Sequence, residues 1–333
     1  MKSRRLVIPA LRHIEVEERE IGPVPDNGIL VETEFSAVSV GTELWGYMHG
    51  SNPGDPSRFP RGTGYCTTGV VLEKGKDVTR VEAGDRVSGS GNHASHNIMT
   101  GLYHKVPDSV TPKSAAFLTM AAIAMHGVRV ARVELGEAVA VTGMGLVGQF
   151  ALSLAKLNGG LPVIAVDKDP FRLDVARSRG ADACLNPDAD QDIVSTVRDL
   201  CVEDGVNVVI EATGIPSVYP MAVKLACIAG RFVALGSPRG TVEFNFLDEL
   251  HLREVSMLGA IHPKTPEQDH IYFRWTKDRE RNLILRMMAD GRLSAEDLAT
   301  HVAAPEECQD IYTMLADNPQ ESKALGVLFN WKS

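Results

Sequence analysis

Hydrophobic positions change their rhythm twice along the chain. From the start to about residue 125 they come in short alternating runs: RRLVIPA, GILVETEFSAVS, TTGVVLEKG and DRVSGSG. Turn signals at Pro23, Asn27-Gly28, Gly75 and Gly84-Asp85 separate them. A period of two between such signals predicts strands with one buried face, and this spacing predicts an antiparallel barrel or sandwich. Gly50–Gly64, rich in proline and glycine, reads as a loop, and Ser114–Val130, apolar nearly all round, predicts one buried helix.

From Glu137 onward the rhythm becomes strand, helix, strand. The predicted strands are Ala138–Thr142, Pro162–Asp167, Ala183–Leu185, Val206–Ala212, Arg231–Gly236 and Ser256–Ile261. Helical patterns lie between most of them, which predicts a doubly wound parallel sheet that binds its ligand at the carboxyl ends of the strands. After Ile261 the pattern changes again. A helix over Arg281–Ala289 stops at Gly291, a short strand falls near His301–Val302, and a helix follows Pro305. The closing run Ala324–Trp331 has strand character, and such a tail most simply returns to the first domain. Arg279, Glu280 and Arg281 read as a solvated helix face.

The first strand of the parallel section leads into VAVTGMGLVGQFALSLAKLNGGLPVIAVD, Val139–Asp167. Gly143 permits a tight turn, Gly145 lets the backbone approach a pyrophosphate, and Gly148 lets the helix pack on the strand. The free N–H groups and positive dipole end of the helix, at Leu146 and Val147, then hold phosphate. Asp167 falls 19 residues beyond Gly148, where an acid gripping the adenosine ribose is expected at about 20. Its charge favours NAD over NADP, while Lys168 and Arg172 soften that preference. The strand ends Ala212-Thr213 and Gly236-Ser237 reach the same crevice.

The totals narrow the field. The 333 residues suffice for two domains. A formal charge of −9 argues against a general nucleic-acid or anionic-membrane binder. No stretch approaches the roughly 20 apolar residues of a membrane span. Five scattered cysteines without CxxC spacing suit a reducing cytoplasm rather than a disulfide framework or cysteine-rich zinc module.

A β-rich first third, a dinucleotide-binding section and a returning tail together resemble the medium-chain dehydrogenase/reductase superfamily. GTEL at Gly41–Leu44, the GVVLEKG and AGDRV turns, KVPDSVTPKSAAF, MHGVR and ARSRGADACLNP carry the resemblance. It implies a GroES-like β-barrel catalytic domain over residues 1–127 and 264–333, and a Rossmann NAD-binding domain over 128–263. It also implies a homodimer acting on a small molecule. Within the superfamily, SVGTE and Gly64-Tyr65-Cys66 are similar to the bacteriochlorophyllide a dehydrogenase-like and threonine dehydrogenase-like branch.

The resemblance carries an expectation about metal. Where zinc-bearing members place their ligands, this chain has Val40, Tyr65, Cys66 and Thr119, and SGSGNHASHN follows GDRV without a four-cysteine loop. One cysteine cannot make the three-ligand site that catalytic zinc requires, so no zinc is expected. A displaced site using His93 or His96 with Cys66 is the alternative. Without a Lewis acid, a side chain must move the proton of an alcohol whose pKa is about 16. Thr42 stands at the superfamily's proton-relay hydroxyl, Tyr65 at a lost ligand position, and Glu43 at its acid. His93 follows as a substrate ligand or base, with His96 behind it. His126 reads as a core histidine, and His262 and Tyr272-Arg274-Trp275 as pocket candidates. The reading is a zinc-independent, NAD-dependent alcohol dehydrogenase for a polar, sugar- or cyclitol-like alcohol. A lyase or epimerase with tightly held NAD, a non-catalytic nicotinamide-binding protein and a reductase of activated double bonds stay open.

Overall fold

The computed structural model describes residues 1–50, 59–189, 192–269, 271 and 273–333. It divides into two units, Met1–Met120 with Glu267–Ser333, and Ala121–Pro266. Most of the predicted loop after Gly50, and Tyr272, lie outside the described residues.

The first unit opens with β1 (Lys2–Ala10), β2 (His13–Glu20) and β3 (Ile29–Ala37), followed by helix α1 (Val40–His49). Then come β4 (Arg61–Gly62), β5 (Thr67–Lys74), β6 (Arg86–Gly89), β7 (His96–Met99) and β8 (Tyr103–Lys105). Helices α2 (Pro112–Ala116) and α3 (Leu118–Ala131) lead into the second unit. That pair replaces the single helix expected over Ser114–Val130. Thr111 caps α2 by accepting from the Ser114 N–H, Pro112 opens it, and Phe117, fully buried, leaves helical geometry at ψ 1°. A uniformly apolar run carries no signal for such a break.

The second unit alternates β9 (Val139–Thr142), α4 (Leu146–Leu157), β10 (Val163–Val166), α5 (Pro170–Ser178), β11 (Ala183–Leu185) and α6 (Ile193–Asp199). It continues with β12 (Val206–Glu211), α7 (Tyr219–Lys224), β13 (Ala226–Ala234) and β14 (Ser256–Gly259). The sheet order β11-β10-β9-β12-β13-β14 is parallel throughout, the doubly wound order that reverses between β9 and β12. Strand β13 begins five residues before the expected Arg231, because a bulge at Ala229 (φ 58°) lets Ala226 pair with Val206 while Arg231 pairs with Val208. Both faces are covered by helices, so β9 and β10 are buried at every residue.

The chain then returns to the first unit through α8 (Lys277–Ala289), β15 (Ala299–Ala303), α9 (Cys308–Asp317) and β16 (Gly326–Asn330). Strand β16 joins the larger sheet, order β15-β16-β3-β5-β6-β8, through antiparallel pairing of Leu328 with Ala37. A second sheet runs β2-β1-β4. The core under α1 gathers Leu6, Ile8, Tyr47, Tyr312, Phe329 and Trp331, residues from both ends of the chain.

Helix α8 overturns one expectation. Glu280 and Arg281 are not solvated: their exposures are 0% and 1%. The buried positions Lys277, Glu280, Arg281, Ile284, Leu285 and Met288 fall at helical spacing on one stripe, so the charged pair lies on the packed face of the helix. Only Arg279 of the three stays exposed. All five cysteines are free, and no helix among the described residues is long and apolar enough to cross a membrane.

Phe329 is fully buried at the centre of this core. Replacing it with alanine is expected to cost about 3–5 kcal/mol in urea denaturation. A loss below 1 kcal/mol would show that β16 adds little to the first unit.

Candidate active site

Turn-forming and hydroxyl-rich sequence between β3 and α1 brings Ser36, Ser39, Thr42 and Glu43 close together in the chain. Glu43 is 4% exposed, and a carboxylate taken out of water must be compensated by hydrogen bonds. It is compensated fully. One oxygen accepts the Ser39 N–H at 2.7 Å. The other accepts the Thr63 hydroxyl at 2.6 Å, the Tyr312 phenol at 2.5 Å and His93 Nε2 at 3.0 Å. His93 Nδ1 meets Ser36 Oγ at 2.7 Å, and Ser36 Oγ accepts the Trp331 indole N–H at 2.8 Å. Burial pushes the Glu43 carboxyl up, but His93, by charge and hydrogen bond, with Thr63 and Tyr312, outweighs it and holds the group below its ordinary value. Burial pushes the Tyr312 phenol well above its own, so it stays a donor.

This arrangement changes the reading of His93. Its ring is 0% exposed and both nitrogens are engaged, so it offers no atom to a substrate in this structure. Its position is that of a support beneath α1, with its edge against the Phe329 ring. Glu43, at the position of the superfamily's acid, is likewise buried and fully engaged by its partners.

The hydroxyls lie at the start of α1. Thr42 is exposed, on the first turn. Tyr65 is half-buried and donates its phenol hydrogen to Ser39 Oγ, with Thr42 also hydrogen-bonding to it. Burial and the neighbouring Cys66 drive the phenol far above its usual range, so it stays protonated at neutral pH. Glu43 therefore fixes Ser39 through the backbone, and Ser39 fixes Tyr65. Ser36, Ser39, Thr63, Tyr312 and Trp331 were not singled out from sequence. Tyr312 lies 269 residues from Glu43, and no local pattern signals that pairing.

The other residues matching metal-ligand positions are equally plain. Val40 is the first residue of α1 and brings no donor. Cys66 is buried, its thiol raised by desolvation and by Glu43, with the Thr119 hydroxyl beside it. His96 is half-buried, its Nδ1 on Ser95, and burial lowers its basicity. Among the described residues no three His, Cys, Asp or Glu side chains cluster. Arg274 is exposed and Trp275 half-buried.

In the second unit the glycine turn is built as its sequence requires. Gly143 adopts φ 88°, where a side chain would also strike Thr213. A Cβ on Gly148 would stand 1.8 Å from the Gly143 carbonyl oxygen, so only glycine fits that contact. Gly145 caps α4 without a side chain, and a Cβ there would meet nothing within 4 Å. Open space above uncapped helical N–H groups at Leu146 and Val147 suits a phosphate. Asp167 accepts the N–H groups of Met144 (2.6 Å) and Asp169 (2.9 Å), with Arg172 4.0 Å away and Lys168 exposed. The acid is thus tied directly to the turn. At the neighbouring strand ends, Gly236 packs against Ala212 and Gly214 so closely that a Cβ would stand 2.3 Å from the Gly214 nitrogen. Glu211, fully buried, accepts from Thr213 and Gly214 and is raised by desolvation. His126 is buried with Nδ1 3.0 Å from Thr265 Oγ1, and His262 is buried too. Their rings stand 6.3 Å apart.

A parallel sheet in the doubly wound order, with a glycine turn tied to an acid, is the architecture of a dinucleotide-binding domain. The comparisons agree. Residues 147–274 match the family described as zinc-binding dehydrogenase. D-guloside 3-dehydrogenase of Escherichia coli (strain K12) is 30% identical over 353 aligned positions, covering 98% of this chain and 100% of that protein. The crystal structure of an oxidoreductase/dehydrogenase of unknown specificity from Escherichia coli superposes with a TM-score of 0.86 at 19% identity, covering 99% of each chain. That of a zinc-binding dehydrogenase from Sinorhizobium meliloti 1021 bound to NADP gives 0.83 at 21% identity, covering 99% of each. The chain belongs to the medium-chain zinc-binding dehydrogenase family and is an oxidoreductase acting on CH–OH donors.

The Glu43 network yields a pH-dependent prediction. Because the folded carboxyl lies below its ordinary 4.5, its contribution is fully present above that value and fades as pH falls through the folded value. Glu43→Gln is expected to destabilise the protein at pH 7 by about 3–5 kcal/mol. The gap to wild type should narrow below pH 4.5. A gap unchanged down to pH 3 in urea titrations contradicts an ionised Glu43.

Proposed function

We propose that this protein is an NAD-dependent, zinc-independent dehydrogenase that oxidises a secondary hydroxyl of a sugar- or cyclitol-like molecule to a ketone. The observation that carries the reading is the donor set at the positions matching the metal ligands: Val40, Tyr65, Cys66 and Thr119. One buried thiol raised by desolvation, a bound phenol, a threonine and an apolar side chain do not fit zinc, which needs at least three good ligands. The relative that acts on D-guloside supports a sugar-like substrate.

The assignment gives the cofactor to the Rossmann section, residues 128–263. Gly143, Gly145, Leu146 and Val147 hold the pyrophosphate. Asp167 takes the adenosine ribose beside Lys168 and Arg172, and Ala212, Thr213, Gly236 and Ser237 face the rest. Asp167 disfavours a 2′-phosphate by charge, which supports NAD over NADP. When bound, the nicotinamide supplies the hydride acceptor. The flanking parts, residues 1–127 and 264–333, supply the groups for the substrate oxygen. Protonated Tyr65 turns its one hydrogen from Ser39 to the substrate oxygen, Thr42 and Ser39 pass the hydroxyl proton on to water at the exposed Thr42, and Glu43 and His93 keep the helix start in place. The protein would work as a cytoplasmic homodimer.

The test is NADH formation from NAD with a panel of glycosides, polyols and cyclitols. Turnover on at least one member is expected. Tyr65→Phe should lower kcat about 100-fold while leaving NAD affinity within a factor of about two. Asp167→Ala should narrow the preference for NAD over NADP about tenfold. Substrate turnover without net NADH, on protein carrying stoichiometric NAD, would select the epimerase or lyase chemistry instead.

A further inference from the structure

Helix α1 carries an aromatic ring on the same face as Thr42, and the mechanism above leaves that ring unused. The inward residues of the helix are Glu43, Leu44, Gly46 and Tyr47, all buried. With about 3.6 residues per turn, the opposite stripe is Thr42, Trp45 and His49, neighbours at helical spacing. Thr42 and His49 are exposed and Trp45 is half-buried. The His49 ring leans on the indole, with centroids 4.3 Å apart and planes tilted by 42°, which limits the rotamers of Trp45. The indole nitrogen is itself buried. What the ring leaves exposed is therefore hydrocarbon.

This ring stands one helical turn from the hydroxyls of the candidate site. The Tyr65 phenol donates to Ser39 Oγ and is hydrogen-bonded to Thr42. Thr42 is thus shared: it touches the phenol, and it is the neighbour of Trp45 three residues on, a pair whose Cβ atoms lie roughly 5–6 Å apart. That span is comparable to the breadth of a six-membered sugar ring. A pyranose or a cyclitol has two kinds of surface, hydroxyls around its edge and C–H groups on its faces. C–H hydrogens carry slight positive charge and settle on the negative face of an aromatic ring, and the contact removes apolar area from water on both sides. An open-chain polyol presents no such fixed face.

We propose that Trp45 is a specificity-determining residue whose indole stacks against the C–H face of a closed-ring sugar or cyclitol while Tyr65 and Thr42 engage a hydroxyl at the ring's edge. The site then takes ring-form substrates in preference to open-chain polyols. Polar groups few in number fix the orientation and an aromatic surface supplies the contact area, the usual division in a small-molecule pocket. The inference rests on the dehydrogenase reading for the fate of the hydroxyl, whereas the stacking is a binding event that needs no turnover. Because the ring face changes little between alcohol and ketone, its contribution falls equally on ground and transition states. It therefore acts on KM rather than on kcat.

The experiment compares wild type, Trp45→Phe and Trp45→Leu, with methyl D-gulopyranoside, myo-inositol and D-sorbitol as probes. Binding is read by titration calorimetry with and without saturating NADH, which cannot accept a hydride, and turnover is read with NAD. Wild type should bind at least one of the two ring compounds more tightly than sorbitol, and the tighter of the two tells a glycoside from a cyclitol. Trp45→Leu, which keeps apolar bulk but loses the flat face, should weaken ring binding and raise its KM about tenfold, with kcat within about threefold. Trp45→Phe should stay within about threefold of wild type on both measures. Sorbitol and NAD should bind all three proteins alike. Ring binding within twofold of wild type in Trp45→Leu overturns the proposal, as does a loss for sorbitol equal to that for the rings, which indicates general packing. A wild type that binds neither ring compound overturns it too. A wild type whose ring binding depends on Trp45 but which forms no NADH upholds the stacking and removes the dehydrogenase reading instead.

Discussion

A carboxylate withdrawn from water has to find donors, and Glu43 finds them on four separate stretches of chain. Its oxygens collect the Ser39 amide, the Thr63 hydroxyl, the His93 imidazole and the Tyr312 phenol. Removing any one leaves a buried polar atom unanswered, which costs more than the bond contributes when made. The network therefore ties the start of α1 to the sheet beneath it and to the C-terminal segment that returns from the second unit. Thr42, Ser39 and Tyr65 inherit their positions from that tie, because Ser39 is held by Glu43 and Tyr65 by Ser39. The proposed chemistry depends on rigid hydroxyls rather than on a metal that would orient the substrate by coordination, so this preorganisation matters more here than where zinc does the holding.

The second unit solves a different constraint. A strand, a turn and a helix must approach within van der Waals distance while leaving N–H groups open to a ligand. Gly148 meets the first demand and Gly145 the second, and Asp167 closes the turn by accepting from Met144. That hydrogen bond couples the loop proposed to hold phosphate to the acid proposed for the ribose.

Much of the frame was legible because its causes are local. Short apolar runs alternating with helical patterns gave the parallel section, and the glycine spacing gave the turn. The missed features have non-local causes. The break at Phe117 arises inside a uniformly apolar run, where hydrophobic pattern has no contrast to offer. The partners of Glu43 lie up to 269 residues away, and a histidine such as His93 looks the same in sequence whether it faces a substrate or a buried carboxylate. Glu280 and Arg281 show the same limit more sharply. Charge suggested solvent, yet their spacing from Ile284 and Leu285 already placed them on the packed stripe of α8. Helical phase was the better guide there than residue type.

The central claim, that fixed hydroxyls perform what zinc performs in many dehydrogenases of this fold, is tested most directly by metal content measured alongside turnover. Purified protein dialysed against a strong zinc chelator should carry well under one zinc per chain and oxidise its substrate with NAD at an unchanged kcat. Stoichiometric zinc, with activity lost on chelation and restored by zinc alone, would contradict the account.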